Sequence, residues 1–219
     1  MIAETLITTA ILPLRTSDTG EESLATMDDF HVRHLPIVNN KQLLGVISDD
    51  DILLHDVTEP VGSYALSLHR PYVKTTDHIY EVMRLLAEHQ LTVIPVVNAD
   101  NDYEGMISQE DLLNFFARTA SFADSGSILI LEVARRDYSM VEISRIVESE
   151  GAVILSSFIT SEQEANLLEV TIKINRQNIQ NIISTFTRFE YIIKASFNEQ
   201  EYLESLQERY DSLMSYLSV

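Results

Sequence analysis

Hydrophobic residues follow two rhythms along this chain. Short apolar runs of strand length, such as Leu35-Pro36-Ile37-Val38 and Ile94-Pro95-Val96-Val97, are bounded by polar turns. Between them, apolar residues recur every three or four positions, the spacing of one helix face. Within residues 2–12, Leu6, Ile7, Ala10 and Ile11 predict a short helix leading into Pro13. Leu14 to Ser17 reads as extended, and Asp18-Thr19 opens a helix carrying Leu24, Met27 and Phe30. Val32 to Asn39 and Leu43 to Ser48 read as paired strands joined by the turn Asn39-Asn40-Lys41, with a helix from Asp49 to about Asp56. Residues 57–70 form a link with Pro60 and Gly62 as breakers. The series then recurs. Pro71-Tyr72-Val73 starts a strand, and Asp77 caps a helix carrying Ile79, Val82, Met83 and Leu86. Leu91 to Asn98 and Glu104 to Ser108 are strands, and a helix runs to about Ala117.

The recurrence is an internal repeat. Gly45-Val46-Ile47-Ser48-Asp49-Asp50-Asp51 returns as Gly105-Met106-Ile107-Ser108-Gln109-Glu110-Asp111. Asp18 precedes Pro36, and Asp77 precedes Pro95, by the same interval. Leu24 and Met27 match Met83 and Leu86. Each signature is a strand running into a helix. Its Ser is a good N-cap, and its Asp stands at the capping-box position. One unit alone would leave an apolar sheet face exposed, so the two are expected to pack together.

The pattern changes after the small, polar stretch 119–126. Ile128 to Val133 is strand-like. Tyr138 to Glu150 reads as a helix with Val141, Ile143, Ile146 and Val147 inside, ended by Gly151. Ala152 to Thr160 and Leu167 to Asn175 are strands, Ile179 to Phe189 is helical, and Tyr191 to Phe197 is a strand. The order is βαββαβ, the ferredoxin-like split pattern. Residues 199–219 carry Leu203, Leu206, Tyr210, Leu213 and Leu217 in a heptad-like seam. Such a helix is too short to stand alone and should pack on its own chain or on a second copy.

Composition narrows the function classes. The formal net charge is −19. Residues 1–120 carry −12, with 7 basic and 19 acidic side chains. A field of that sign repels phosphate backbones and argues against nucleic-acid binding. It also makes a polyphosphate ligand dependent on a few local cations, helix N-termini or a metal ion. Cys is absent, which removes disulfides and thiolate metal sites. No apolar run approaches the ~18–20 residues of a membrane span, and the N-terminus lacks a signal's basic region. The expected location is cytoplasmic.

The two signatures, the two apolar-Pro-apolar-apolar strands and their spacing resemble a tandem pair of CBS domains, the Bateman module. The resemblance covers residues 1–120, with repeat 1 about 1–58 and repeat 2 about 59–120. The βαββαβ stretch, 127–198, resembles an ACT domain, and 199–219 is the closing amphipathic helix. The domain order is similar to that of CBS–ACT proteins associated with acetoin utilisation. The implied fold class is α+β: two βαββα units packed together, then a ferredoxin-like domain and a C-terminal helix.

That resemblance implies a regulatory protein that binds an adenosyl ligand: AMP, ADP, ATP or S-adenosylmethionine. No cofactor is required. Ile37, Val46, Val96 and Met106 would line a slot for the base. Asp51 and Asp111 would accept hydrogen bonds from the ribose hydroxyls. Ser48 and Ser108, with the first N–H groups of each following helix, would face phosphate. Thr16 and Ser17, or Thr75 and Thr76, would contact the nucleotide from the early strands. Arg33, three residues before Pro36, would supply a cation beside His34, whereas repeat 2 has Thr92 at that place. The first site is therefore the expected home of AMP or ADP. In the ACT-like domain, Arg135-Arg136-Asp137-Tyr138-Ser139 lacks the turn Gly of amino-acid-binding members, so the expected role is sheet pairing between protomers. The six His form no metal pattern, and no catalytic constellation is found. The expectation is a non-enzymatic sensor that acts as a homodimer, with a protein target among its partners and no membrane contact. Its rivals are a ligand-free scaffold and an enzyme of unrecognised chemistry.

Overall fold

Both signature serines cap helices as their spacing predicts, and the remaining elements of each repeat are arranged around those caps. The chain is described from a computed structural model over residues 1–8, 10–64, 71–160, 166–198, 214 and 216. The closing seam expected over 199–219 lies outside these residues except at Met214 and Tyr216. Two compact units divide the chain, Met1–Phe115 and Phe116–Val219.

In the first unit a short 3-10 turn, Ala3–Leu6, stands where a helix is expected. α1 spans Gly20–Asp29 and is opened by Thr19, whose hydroxyl accepts the Glu22 N–H while the Glu22 carboxylate accepts the Thr19 N–H. This reciprocal box satisfies two donors that a helix start otherwise leaves open. β1 (His34–Asn39) and β2 (Gln42–Ser48) form an antiparallel hairpin, with Leu35 opposite Ile47. Asn40 takes the left-handed turn position at φ 55°, a conformation Asn tolerates. α2 is Asp49–Leu53.

Repeat 2 follows the same plan. β3 (Val73–Lys74) runs parallel to β4 (Val93–Val97), which pairs antiparallel with β5 (Tyr103–Ser108). α3 is Ile79–Glu88 and α4 is Gln109–Ala117. In repeat 1 the strand equivalent to β3 is reduced to a single bridge, Leu14 to Ile37. Both hairpins shift register at the same place, after Ile37 and after Val96. Core residues of both repeats meet: Leu35, Ile37, Ile47 and Ile52 pack in one cluster with Val93 and Met106. Fully burying an aliphatic side chain stabilises by roughly 1.5–3 kcal/mol, and each repeat supplies the other with that cover.

Some local expectations need correction. Asp77 does not cap α3. His78 does, and the Asp77 carboxylate instead accepts the Lys74 N–H at 2.8 Å. Asp18 does the same for Arg15 at 2.8 Å, so this repeated Asp closes the turn ahead of the helix. Phe30 and Met83 are exposed rather than inside. The lead-in segment 2–8 joins repeat 2: Ala3 donates to the Asp77 carbonyl, Glu4 to that of Thr75, and Thr8 to that of Met106.

In the second unit a helical turn, α5 (Ala120–Ala123), interrupts the expected linker. The elements then run β6 (Ser127–Ala134), α6 (Met140–Ser149), β7 (Ile154–Thr160), β8 (Leu167–Ile174), α7 (Gln180–Arg188) and β9 (Ile192–Asn198). The strand order β7-β8-β6-β9 is antiparallel throughout and ferredoxin-like. Alternate residues of β6 and β8, among them Leu129, Leu131, Val170 and Ile172, share a core with Ile143, Ile146 and Phe186 of the two helices. Val141 is 81% exposed, against expectation. The buried face of α6 is set by Ile143, Ile146 and Val147, and Val141 lies about 200° around the helix from Ile143.

Candidate functional site

Each signature aspartate folds back onto its own serine. Asp51 Oδ2 accepts from the Ser48 hydroxyl at 2.6 Å and from the Ser48 N–H at 3.1 Å, while Ser48 Oγ accepts the Asp51 N–H at 3.0 Å. Ser108 and Asp111 repeat these three bonds at 3.1, 2.6 and 3.0 Å. In both carboxylates the hydrogen bonds to described residues fall on Oδ2, which leaves Oδ1 for another donor.

Each box borders a cavity, and each cavity is completed by the other repeat. Ser48, Asp51, Val46 and His34 line a space of about 240 Å³ with Pro71, His89 and Leu91 of repeat 2. Ser108 and Asp111 line a space of about 330 Å³ with Phe30, His31 and Val32 of repeat 1. Thr8, Ala10 and Ile11 of the lead-in segment close the same space. The exchange has a local cause. Backbone bonds lay segment 2–8 along repeat 2, and Thr8, Ala10 and Ile11 reach the cavity at the start of α4. Gly105 permits this approach, since a Cβ there would stand 2.4 Å from Ile7 Cγ2. The helix ends correspond as well. His31 (φ 53°) and Gln90 (φ 52°) take the left-handed position after α1 and α3, turning the chain from helix into cavity wall.

The remaining expected site residues are distributed differently. Val46 lines the first cavity, but Ile37 and Met106 pack in the core and Val96 is fully buried. The central residues of these strands are buried on both faces, so an apolar strand position does not by itself mark a cleft wall. Thr16, Ser17, Thr75 and Thr76 border neither cavity. The carbonyl of Thr16 accepts the Gly62 N–H, that of Thr75 accepts the Glu4 N–H, and Ser17 and Thr76 are exposed. Arg33 is engaged by carboxylates: its Nε meets Asp49 Oδ2 at 2.9 Å and its Nη2 meets Asp50 Oδ2 at 2.8 Å. The Arg33 hydrogen bond holds the Asp49 carboxyl below its ordinary range. Burial pushes the His34 imidazole down, opposed by nearby Asp49.

Donors expected to face phosphate are largely engaged. In α2 the N–H groups of Asp49, Asp50 and Asp51 go to the Arg33 carbonyl, the Asp49 carboxylate and Ser48 Oγ. In α4 the Gln109 N–H goes to the Thr92 carbonyl and that of Asp111 to Ser108 Oγ. Sequence reasoning missed the contributions of Thr8, Ala10, Ile11, His89 and Leu91, of which the last two carry a signal. The signal for His89 and Leu91 is the repeat interval, which makes them the equivalents of Phe30 and Val32. Among the described residues, no group of three His, Asp or Glu is placed to hold a metal ion, and no helix is long and apolar enough to cross a membrane.

Comparison with known proteins agrees with the repeat. The CBS-domain family profile matches the chain twice, at residues 3–57 and 61–118. The chain is 29% identical over 122 residues to a homoserine O-acetyltransferase of Methanobrevibacter ruminantium, a match covering 51% of this chain and 23% of that protein. It is 29% identical over 122 residues to the magnesium transporter MgtE of Thermus thermophilus, covering 53% of this chain and 27% of the transporter. The chain thus spans only a minor part of either relative. Among solved structures it is similar to a CBS domain pair/ACT domain protein of Thermotoga maritima, at 25% identity and TM-score 0.48, covering 53% of this chain and 96% of that one. It is also similar to CBSX2 in complex with AMP, at 21% identity and TM-score 0.47, covering 53% and 96%.

Proposed function

The chain belongs to the CBS-domain family, and from that premise we propose that it is a non-enzymatic regulatory protein that binds an adenosyl ligand in the clefts of its CBS pair. One observation carries the reading. Each cavity joins the Ser-x-x-Asp helix start of one repeat to a helix end of the other. A molecule held there touches both repeats, so its binding depends on how they sit. A ligand shifts such an equilibrium by its difference in affinity between the two arrangements.

Asp51 and Asp111 keep Oδ1 for the two hydroxyls of a ribose, while Oδ2 maintains the cap. Apolar walls accept the base: Val46 and Leu91 in the first cleft, Ile11 and Val32 in the second. The protein works in the cytoplasm as a homodimer, and the ferredoxin-like unit or a protein target reads the change in the CBS pair.

Thermal unfolding with adenosine, AMP, ADP, ATP and S-adenosylmethionine tests the reading. A ligand at 100 times its dissociation constant adds ~2.7 kcal/mol of stability. The double variant Asp51→Asn/Asp111→Asn keeps a cap acceptor and should lose most of that gain. Equal gains in both proteins would remove these aspartates from recognition. Silence across all five compounds would leave the ligand-free scaffold as the better account. Native mass spectrometry of the purified protein reports subunit number and any retained ligand together.

A further inference from the structure

The cleft at Asp111 offers a carboxylate and an apolar wall but few groups that could hold a phosphate. The Ser108 hydroxyl and N–H are bound by Asp111, and the Gln109 and Asp111 N–H groups are bound within the fold. In the first turn of α4 only the Glu110 N–H remains without a partner among the described residues. Side chains do not compensate. Among the described residues no Lys or Arg lines the cavity, its two carboxylates are Glu110 and Asp111, and His31 is its one basic group. Ala10, Ile11, Phe30 and Val32 form an apolar wall. The cavity volume of about 330 Å³ falls within the usual span of small-molecule pockets, roughly 300–1,000 Å³. A phosphate entering here would give up water beside two carboxylates without a cation in return. A neutral nucleoside avoids that cost, and a positively charged adenosyl compound gains from the same carboxylates.

We propose that the Asp111 cleft takes a phosphate-free adenosyl ligand, neutral or cationic, and discriminates against adenosine mono-, di- and triphosphates. This rests on the adenosyl-binding function proposed above and names the ligand class of that site. Glu110 is the specificity-determining residue. It is exposed, and no fold contact depends on its carboxylate among the described residues, so it can be exchanged without disturbing the cap.

Calorimetric titration of the full chain without divalent cations tests the proposal, using adenosine, S-adenosylmethionine, AMP and ATP as probes. The phosphate-free compounds should bind at least tenfold more tightly than AMP, and Asp111→Asn should abolish that preference. Glu110→Lys should strengthen AMP binding tenfold or more, with Glu110→Gln intermediate. AMP or ATP binding as tightly as adenosine, and weakened by Asp111→Asn, would overturn the proposal while leaving adenosyl binding intact. So would a preference removed by Asp51→Asn and untouched by Asp111→Asn, or an AMP affinity unmoved by Glu110→Lys. Failure of all four probes would overturn adenosyl binding itself.

Discussion

His34 of repeat 1 and Thr92 of repeat 2 lock the two repeats together. Thr92 Oγ1 accepts the backbone N–H groups of Arg33 at 2.9 Å and His34 at 3.1 Å, and stands 3.2 Å from His34 Nδ1. The Thr92 N–H lies 3.3 Å from the same ring nitrogen. With Oγ1 already accepting two N–H groups, its own proton points at Nδ1, so Nδ1 accepts and the neutral ring carries its hydrogen on Nε2. Thr92 stands where repeat 1 has Arg33, and it serves as a cross-repeat strut rather than a lost cation.

Thr92→Val keeps the shape and removes that acceptor. The half-buried His34 N–H would lose its partner, at a cost of about 1–3 kcal/mol, while the exposed Arg33 N–H can turn to water. Thr92→Ser restores the oxygen and should recover most of the loss. Urea unfolding of the three proteins decides it. A Val variant as stable as wild type would show that the strut contributes nothing.

The same pair predicts a pH dependence. Burial holds His34 below the ordinary imidazole range, so the folded chain resists its protonation and the unfolded chain does not. Stability from neutral His34 is complete above about pH 6.5, the unfolded value. It is lost as pH falls through the folded value. Asp49 is also lowered, by Arg33, so its share is lost only at more acid pH, below about 4. Melting temperatures between pH 8 and 5 should fall more steeply for wild type than for His34→Asn, which retains an acceptor near Nδ1 without titrating. Parallel curves would contradict the assignment.

Features set by local spacing were legible in the sequence. Ser48 and Asp51, three residues apart, form the capping box that their positions announce, as do Ser108 and Asp111. The βαββαβ order of the second unit follows from periodicity alone. What could not be read was which repeat completes which cleft. That depends on segment 2–8 pairing with repeat 2, a long-range choice made by backbone bonds that carry no side-chain pattern. The family resemblance implies Thr16 and Thr75 of the early strands at the ligand, yet the Asp111 cleft is bordered by Thr8, Ala10 and Ile11, ahead of the first of those strands. Ile37 and Met106, which the resemblance implies at the clefts, pack in the core, since runs of apolar residues buried on both faces do not say which of them borders a cleft.

Arg33 looked like a phosphate-binding cation because sequence spacing ignores what neutralises it. Asp49 and Asp50 hold its guanidinium at the surface. Exposed pairs of this kind contribute little to stability, typically under about 1 kcal/mol. Arg33→Ala should therefore leave both stability and adenosine binding close to wild type. Asp49→Asn/Asp50→Asn frees the guanidinium and should raise AMP affinity at the Ser48 cleft several-fold in low salt, with the gain disappearing at high ionic strength. Calorimetry at two salt concentrations checks this. A gain that survives salt would implicate something other than the freed charge.

Gly105 links strand chemistry to the second cleft. Its φ of 157° suits Gly, and an added Cβ would meet Ile7 Cγ2 at 2.4 Å and the Thr8 carbonyl at 3.3 Å. Gly105→Ala must therefore push the lead-in segment off β5, straining the bond from the Thr8 N–H to the Met106 carbonyl. Overpacking of this sort costs about 1–3 kcal/mol. Because Thr8, Ala10 and Ile11 border the Asp111 cleft, the variant should also weaken any ligand bound there while sparing the Asp51 cleft. Hydrogen exchange over residues 2–8 should quicken in the variant and remain unchanged across the second unit. Ile7→Ala in the same chain removes the nearest clashing atom and should return part of the stability, a positive coupling in a double-mutant cycle. If Gly105→Ala leaves exchange in the lead-in segment unaltered, the segment is not held by this contact, and another interaction closes the cleft.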